Sequence, residues 1–356
     1  MKHERLLANG DRLDVHIMLP GANRGETPDH LSIYHFLTRP FDPWMVATEA
    51  AFLAQFISGS ADPSLADTLL VGRIDNEIVG TAWHATDSEI HDLGGYGFVF
   101  TSPEHRAKGI AQVLTEMALD PFWKSGGLAS YLGTMNPIAQ HVYTKNGFLP
   151  LNGLVMRAVR PGTESEDFDR TYLRRDGDGV IRDIRLGDLA AYTHLLLTTA
   201  TGGWIVRDYK EAIFHAPPSV EAGGCLRPFY NTFANHQTNT NNTWKVLENN
   251  QGRLAASANL SVPSAGPLSK SAALEFQVAV DYHDRASAII NAAIEEASIN
   301  DLCEVRAAAI SQHRQDVLHE SGFEIETVRH NEFHLGPQSE SNSGSADVTI
   351  MCRRLG

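Results

Sequence analysis

Residues 1–160 alternate between short apolar strands and amphipathic helical segments. Alternation of apolar and polar residues predicts strands at 13–19, 67–85, 95–101, 128–134 and 151–159, of which the second is long enough for a hairpin. The hairpin turn is expected at Asp75-Asn76, because these residue types tolerate the backbone of a tight turn. Apolar residues three and four apart predict helices at 30–56, 110–118 and 136–146. We expect a bend in the first helical segment at Pro40 and Pro43, and a glycine cap after the last at Gly147.

A similar order of elements returns in the second half of the chain. Strand and helix patterns recur at 180–200, 243–262, 274–297 and 310–325. Arg285 and Gly322 follow Arg106 and Gly147 at nearly the same offset, which indicates an internal repeat. The sequence therefore predicts two domains of related fold.

Polar segments separate and interrupt these patterns. The stretch 161–179 predicts a linker, so the expected domains are 1–160 and 180–356. The DGDG within that linker predicts a turn, because the later ligands of a calcium loop are missing. The insertion 201–242 is interpreted as a surface loop, with a cap over a substrate site as the alternative. The tail from 336 predicts a flexible loop before a last strand, VTIMC.

Composition excludes several classes of protein. The 356 residues are 42% hydrophobic, which is enough for packed cores, and their net charge of −14 disfavours binding to nucleic acid. The three cysteines form no CxxC pair, so we expect neither a metal site nor a disulfide framework. No apolar run approaches the ~18 residues of a membrane span, and the charged N-terminus does not resemble a signal peptide. We expect a soluble cytoplasmic protein without a membrane partner.

The loop RAKGIA, residues 106–111, opens a predicted helix directly after a strand. The first N–H groups of a helix have no partner within the helix, and the helix dipole adds positive charge there. Such a loop can bind phosphate oxygens, with Gly109 allowing close approach and Arg106 and Lys108 adding cationic groups. Simple helix capping is the alternative, because this pattern is common at helix starts.

The wider pattern resembles the GNAT superfamily of N-acetyltransferases. It consists of a strand, Pro103, Glu104, the 106–111 loop, a helix, a strand, and then Asn136, Ala139, Tyr143, Lys145 and Gly147-Phe148 before a further strand. The resemblance covers residues ~10 to 160, with boundary errors of a few residues. It implies an α/β (α+β) fold of two GNAT-like domains, each a mixed, mainly antiparallel sheet flanked by helices.

The resemblance also implies a set of site residues. In the family, the loop binds the pyrophosphate of coenzyme A, and the preceding strand pairs with the pantetheine arm. The implied cofactor-binding residues here are Phe98, Val99, Phe100, Arg106, Ala107, Lys108, Gly109, Ile110, Ala111 and Asn136. Tyr143 matches the tyrosine that often gives a proton to the leaving thiolate; packing in a helix core is the alternative for this side chain.

The general base is less defined by the pattern. Family members often use a glutamate or an ordered water on the strands of the meander. The candidates here are His84, Glu89, His91 and Asp92, with His84 preferred because its strand is expected to face the acceptor pocket. An ordinary loop or packed role is the alternative for each, because geometry decides such roles.

The second copy has lost the residues that this chemistry needs. Its loop reads RASAII, so Ala288 replaces Gly109 and Ile290 replaces Ala111. Ser287 replaces Lys108, and Leu318 replaces Tyr143. We therefore expect one active copy and one degenerate copy.

The implied function is transfer of an acyl group from a coenzyme A thioester to an amine. Acetyl-CoA or another acyl-CoA would be the donor and a small-molecule amine the acceptor, with no metal required. A variant takes the acyl group from an acyl carrier protein, although the pyrophosphate loop favours free CoA. The alternative from another class is a non-catalytic acyl-CoA-binding module, which a catalytic Tyr143 would contradict.

Overall fold

The structure is a computed structural model, and the residues it describes fall into two compact units. It describes residues 2–20, 30–39, 53–56, 62–199, 205–208, 213–216, 233–234, 236–238, 242–262, 270–298, 302–334 and 345–355. The first unit contains the described residues up to 168 together with 185–193, and the second contains 169–184 and those after 193. This division falls near the segment 161–179, which includes a helix.

The first unit is built on one mixed sheet. Its strands are β1 Lys2–Leu6, β2 Arg12–Met18, β3 Leu65–Ile74, β4 Glu77–Asp87, β5 Leu93–Thr101, β6 Ala129–Gly133, β7 Leu149–Asn152 and β8 Val155–Val159. The helices in this part of the chain are α1 His30–Thr38, α2 Ile110–Lys124, α3 Pro137–Lys145 and α4 Ser165–Tyr172. The order across the sheet is β1-β2-β3-β4-β5-β6-β8-β7, and β5 with β6 is the parallel pair among its described strands.

Helix α2 packs against one face of this sheet because two glycines make room for it. Gly72 and Gly80 face each other across β3 and β4. A Cβ added at Gly80 would lie 2.7 Å from Cγ2 of Ile110, and the fully buried Leu114 packs beside both glycines. The opposite face carries aromatic residues: the Trp83 ring contacts Phe56 at 4.8 Å between centroids.

The second unit repeats this architecture. Its strands are β9 Val180–Asp183, β10 Ile205–Asp208, β11 Ile213–Ala216, β12 Thr243–Glu248, β13 Leu254–Ser261, β14 Ser271–Val278, β15 Glu304–Ala309, β16 Glu324–His334 and β17 Ser345–Arg354. The remaining helices are α5 Leu189–Thr199, α6 Ala286–Ser298 and α7 Gln312–Glu320. Strands β10 and β11 form a separate hairpin.

The order β9-β12-β13-β14-β15-β17-β16 matches β2-β3-β4-β5-β6-β8-β7 strand for strand. The parallel pair also falls at the same place, between β14 and β15. Each sheet is mixed, mainly antiparallel and flanked by helices, so the predicted fold class is confirmed.

Several elements differ from the sequence predictions. Strand β1 was not predicted, because its sequence KHERL lacks apolar alternation. The strand predicted at 151–159 is the hairpin β7–β8. The hairpin turn is confirmed: Asp75 and Asn76 have φ of 48° and 67°. Two helices around a bend were predicted at 30–56, and of these only α1 and the helical residues 53–56 are described. Most of the insertion 201–242 and of the loop before the last strand also lies outside the described residues. The last strand is β17.

No helix in the described part of the chain is both long and apolar enough to cross a bilayer.

Candidate functional site

Strands β5 and β6 separate after a short parallel ladder. They pair only from Leu93–Gly95 to Ala129–Tyr131, although β5 continues to Thr101. On its other side, β5 has a bulge against β4, where Phe98 adopts a positive φ of 50° that is uncommon outside glycine. The hydroxyl of Thr81 donates to the Phe98 carbonyl at 3.0 Å and so supports the bulge.

A groove of about 550 Å³ lies where the strands separate. The predicted site residues that line it are Val99, Phe100, Arg106, Ala107, Gly109, Ile110, Ala111, Asn136 and Tyr143. The lining residues that were not assigned to the site from the sequence are Thr101, His105, Gln112, Ile138, Ala139, Val142 and Lys145. Of these, Ala139 lies three residues after Asn136 and four before Tyr143, so helical spacing could have found it. Phe98, Lys108 and His84 do not line the groove.

The loop before α2 presents backbone groups to this groove. Ala107 and Gly109 have φ of 62° and 84°, so two left-handed residues turn the chain into the helix. Gly109 is the N-cap residue and provides no side-chain hydrogen bond to the first helical N–H groups. A Cβ added at Gly109 would meet nothing within 4 Å. The first N–H groups of α2 have no partner within the helix, and residues 109–112 line the groove, which suits an anionic ligand.

The side chains of Arg106 and Lys108 point in different directions. Arg106 lines the groove, and its Nε donates to the Thr101 carbonyl at 3.3 Å. Lys108 instead pairs with Asp11 at 2.9 Å and lies 3.3 Å from Nδ1 of His105. The hydrogen bond from Lys108 lowers the pKa of the Asp11 carboxyl. Lys108 is therefore held at the turn between β1 and β2. Direct contact of its ammonium group with a phosphate stays a prediction, and this ion pair does not favour it.

Helix α3 forms the other wall of the groove. The Asn136 side chain caps it by accepting from the N–H groups of Ile138 and Ala139 at 2.9 and 3.4 Å. Tyr143 lies on the groove side of the helix and is 7% exposed. Its ring meets the rings of Tyr96 and Phe148 edge to face, each at 6.1 Å between centroids. This packing fixes the direction of the phenol at the groove wall.

His84 lies beneath α2 rather than at the groove. Its ring packs against Phe122 of that helix at 4.7 Å between centroids, and Nε2 lies 3.4 Å from the Ser130 hydroxyl. Burial lowers the pKa of His84 to about 4. Alternation along β4 directs Trp83 to the opposite face of the sheet. The role of His84 as a general base stays a prediction, and its position on the sheet face that α2 covers counts against it.

The loop candidates for the base are engaged in local structure. Glu89 pairs with Arg185 at 3.1 Å, and His91 Nδ1 lies 3.4 Å from the Thr86 hydroxyl. The Asp92 carbonyl accepts from Leu128 at 2.6 Å. These contacts hold the loop between β4 and β5 in one conformation.

Asp67 is a buried carboxyl that the sequence analysis did not select. Its Oδ1 accepts from the indole Nε1 of Trp83 at 3.1 Å, and its Oδ2 has no hydrogen-bond partner among the described residues. Burial raises the pKa of Asp67 to about 7, and the smaller effect of the indole hydrogen bond opposes this rise. The Trp83 ring in turn contacts Phe98 of the bulge at 5.2 Å. The available signal was a single acid in the apolar strand ADTLLVG.

The second unit has a smaller cleft at the corresponding place. Strands β14 and β15 also pair over a short parallel ladder, which ends at Leu274 and Ala307. The cleft beyond it has a volume of about 110 Å³. Its lining includes Phe276 of β14, Ala308 of β15 and Arg314 of α7, together with Val206 of β10 and Ala286 of α6. A long cationic side chain thus stands in the second cleft, where the first groove is open.

The described residues include no group of three or more His, Cys, Asp or Glu side chains placed to hold a metal ion.

Comparison with known proteins assigns the first unit to a family. Residues 31–148 match the family model described as the Acetyltransferase (GNAT) family. These residues are therefore a GNAT acetyltransferase domain, which belongs to an enzyme family of N-acetyltransferases. No curated protein matches the chain.

Solved structures of acetyltransferases are similar to about half of the chain. A GNAT-family acetyltransferase from Streptococcus pneumoniae is 16% identical, with 50% of this chain and 99% of that chain covered and a TM-score of 0.38. A phosphinothricin acetyltransferase from Sinorhizobium meliloti in complex with AcCoA is 15% identical, with 51% and 90% covered and a TM-score of 0.39. A mutant spermidine N-acetyltransferase from Vibrio cholerae is 17% identical, with 51% and 95% covered and a TM-score of 0.37.

The buried His84 predicts an acid-sensitive contribution to stability. In the unfolded chain its pKa is near 6.5, so between pH about 6.5 and about 4 the unfolded state binds a proton that the folded state does not. This contribution is present above pH 6.5, and up to about 3 kcal/mol is lost as the pH falls to 4.

We expect a His84→Asn variant to lack this loss. Denaturant unfolding of both proteins between pH 4 and 7 measures it. The raised pKa of Asp67 acts in the opposite direction but equally in both proteins, so the difference between the curves isolates His84. Parallel curves would contradict the expected contribution.

Proposed function

We propose that the protein is an N-acyltransferase that moves an acyl group, in the simplest case acetyl, from a coenzyme A thioester to an amine of a small molecule. The observation that carries this proposal is the open groove between β5 and β6, which reaches the start of α2, where the N–H groups have no partner within the helix. A nucleotide pyrophosphate needs such donors, and a long thin arm needs such a groove. The proposal includes reaction in a ternary complex, because an acyl thioester is already activated and needs no covalent enzyme intermediate.

The groove residues divide into two groups by the part of CoA that each suits. The backbone of residues 106–111 and the Arg106 guanidinium suit the pyrophosphate. The unpaired edge of β5 at Val99 and Phe100 suits the amides of the pantetheine arm, because separated strands have free backbone groups there. Asn136 and Tyr143 border the arm from α3.

The chemistry is direct attack on an activated ester. The amine nitrogen forms a bond to the thioester carbon, the carbon–sulfur bond breaks, and CoA leaves as a thiolate. Tyr143 gives its phenolic proton to that sulfur, and a base removes the proton from the amine. Positioning of the two reactants supplies most of the acceleration, since the thioester is already reactive.

We assign the base role to Asp67. A general base works best with a pKa near the working pH, and the pKa of Asp67 is raised to about 7 by burial. Its free Oδ2 lies on the face of the sheet opposite α2, beside Trp83. Since α2 covers the other face, the acceptor amine is expected to approach from the side of Asp67.

The proposal includes one acyl-CoA per chain. Calorimetric titration with CoA should give one site in the wild-type protein and none in Gly109→Glu, because a carboxylate there would repel the pyrophosphate and the residue has φ of 84°. The matched control is Ala288→Glu, at the residue of the second copy that aligns with Gly109 and lies in the first turn of α6, which should bind CoA like the wild type. Two CoA sites in the wild type would refute the proposal of one acyl-CoA per chain. No CoA site in the wild type would refute free CoA as the donor and favour an acyl carrier protein.

The proton-donor role of Tyr143 predicts a loss of turnover without a loss of binding. We expect Tyr143→Phe to lower kcat by about 10²-fold or more, the usual effect of general acid catalysis, with little change in CoA affinity. Release of CoA thiol from acetyl-CoA, with spermidine and phosphinothricin as probe amines, measures it. The control is Tyr96→Phe. The hydroxyl of Tyr96 hydrogen-bonds the Thr115 hydroxyl at 2.8 Å and does not line the groove. Equal turnover in Tyr143→Phe and the wild type would exclude the role.

The base role of Asp67 predicts a pH dependence. Because the carboxylate is the active form, kcat/KM of the wild-type enzyme should rise as the pH increases through about 7. Asp67→Asn should lose this rise and most of the activity. The control is Asp75→Asn in the exposed hairpin turn, where asparagine tolerates a φ of 48°. An unchanged pH profile in Asp67→Asn would exclude Asp67 as the base.

A further inference from the structure

We propose that Arg314 is a built-in occupant of the second cleft, standing where the first copy takes the pantetheine arm. The residue at this one helix position, Ala139 in the first copy and Arg314 in the second, then decides whether a copy admits the arm. This inference rests on the proposed function, because it takes the first groove as the pantetheine site.

The equivalence of the two positions follows from the repeat. The glycine that ends each helix is Gly147 in the first copy and Gly322 in the second, and both have positive φ. Counting back by the same number of residues from each glycine sets Arg314 opposite Ala139. Both residues also line the space between their separated strands.

Arg314 bridges the two strands just beyond the end of their ladder. Its Nη1 donates to the Phe276 carbonyl of β14 at 2.8 Å, and its Nε donates to the Ala308 carbonyl of β15 at 3.0 Å. Both residues lie just beyond the β14–β15 ladder, which ends at Leu274 and Ala307, while each stays in register with the strand on its other side. One planar guanidinium therefore supplies the hydrogen bonds that separated strands need.

Neighbouring groups fix the guanidinium in this position. It stacks over the Phe276 ring at 3.9 Å and pairs with the buried Glu275 carboxylate at 3.2 Å. Glu275 in turn accepts from Gln277 at 2.8 Å. These contacts hold the guanidinium across the opening between the two strands.

The size of each space agrees with this assignment. The groove beside Ala139 measures about 550 Å³, and the cleft that holds Arg314 measures about 110 Å³. A methyl side chain leaves room for an arm that carries amide donors. In the second cleft the arginine side chain occupies the corresponding space and supplies hydrogen-bond donors of its own.

The first test closes the open groove. Ala139→Arg should weaken CoA binding by at least 100-fold in calorimetry while its thermal unfolding midpoint stays close to that of the wild type. The matched control is His141→Arg, which adds the same side chain at an exposed position of α3 outside the groove. Unchanged CoA affinity in Ala139→Arg, beside a wild type that binds, would overturn the inference. Absence of binding in the wild type would instead refute the proposed function.

The reciprocal test needs no CoA and so remains decisive in either case. Arg314→Ala should lower the thermal unfolding midpoint of the second unit by several degrees, since two carbonyls and Glu275 lose their partner. The control is Gln312→Ala on the same helix, whose bond to Asp316 is exposed. Arg314→Lys should recover little, because an ammonium cannot reproduce the planar fork. An Arg314→Ala midpoint equal to that of the wild type would overturn the role.

Discussion

The separation of two parallel strands is the constraint on which both halves of this chain depend. A ladder that stops early leaves backbone carbonyl and amide groups without partners, and buried groups of this kind need hydrogen bonds. In the first unit the opening between β5 and β6 is a groove bordered by the loop before α2. In the second unit the matching opening is spanned by Arg314. The same backbone geometry is thus compatible with a ligand site or with a closed core.

The two faces of the first sheet have different tasks, and neighbouring residues of one strand are divided between them. Ala82 and His84 of β4 face α2, where paired glycines bring helix and sheet into close contact. Trp83 points the other way, towards Asp67 and the bulge at Phe98. One face therefore packs against α2, and the buried Asp67 carboxyl lies on the other face beside the aromatic rings.

Much of this fold could be predicted from the sequence, because the repeated strand and helix patterns are local. The Asp75-Asn76 turn and the Gly109 and Gly147 positions follow from residue type. Which face of β4 meets the helix does not, since a fully buried strand shows no alternation to distinguish its sides. The direction of Lys108 was also beyond sequence reasoning, because its partner Asp11 is far away along the chain. Contacts over such separations depend on the packed structure.

The origin of the hydrogen bonds in each cleft has a thermodynamic consequence. A hydrogen-bond donor that is part of the polypeptide, such as the Arg314 guanidinium, has a constant effective concentration at its site. A donor that arrives on a diffusing molecule stabilises a fold only in proportion to the logarithm of its concentration. If the first groove takes an acyl-CoA as proposed, the free energy of unfolding of the first unit depends on the supply of that ligand, whereas the contribution of Arg314 to the second unit does not. On that proposal, one polypeptide combines a ligand-dependent half with a half that supplies its own hydrogen-bond donor.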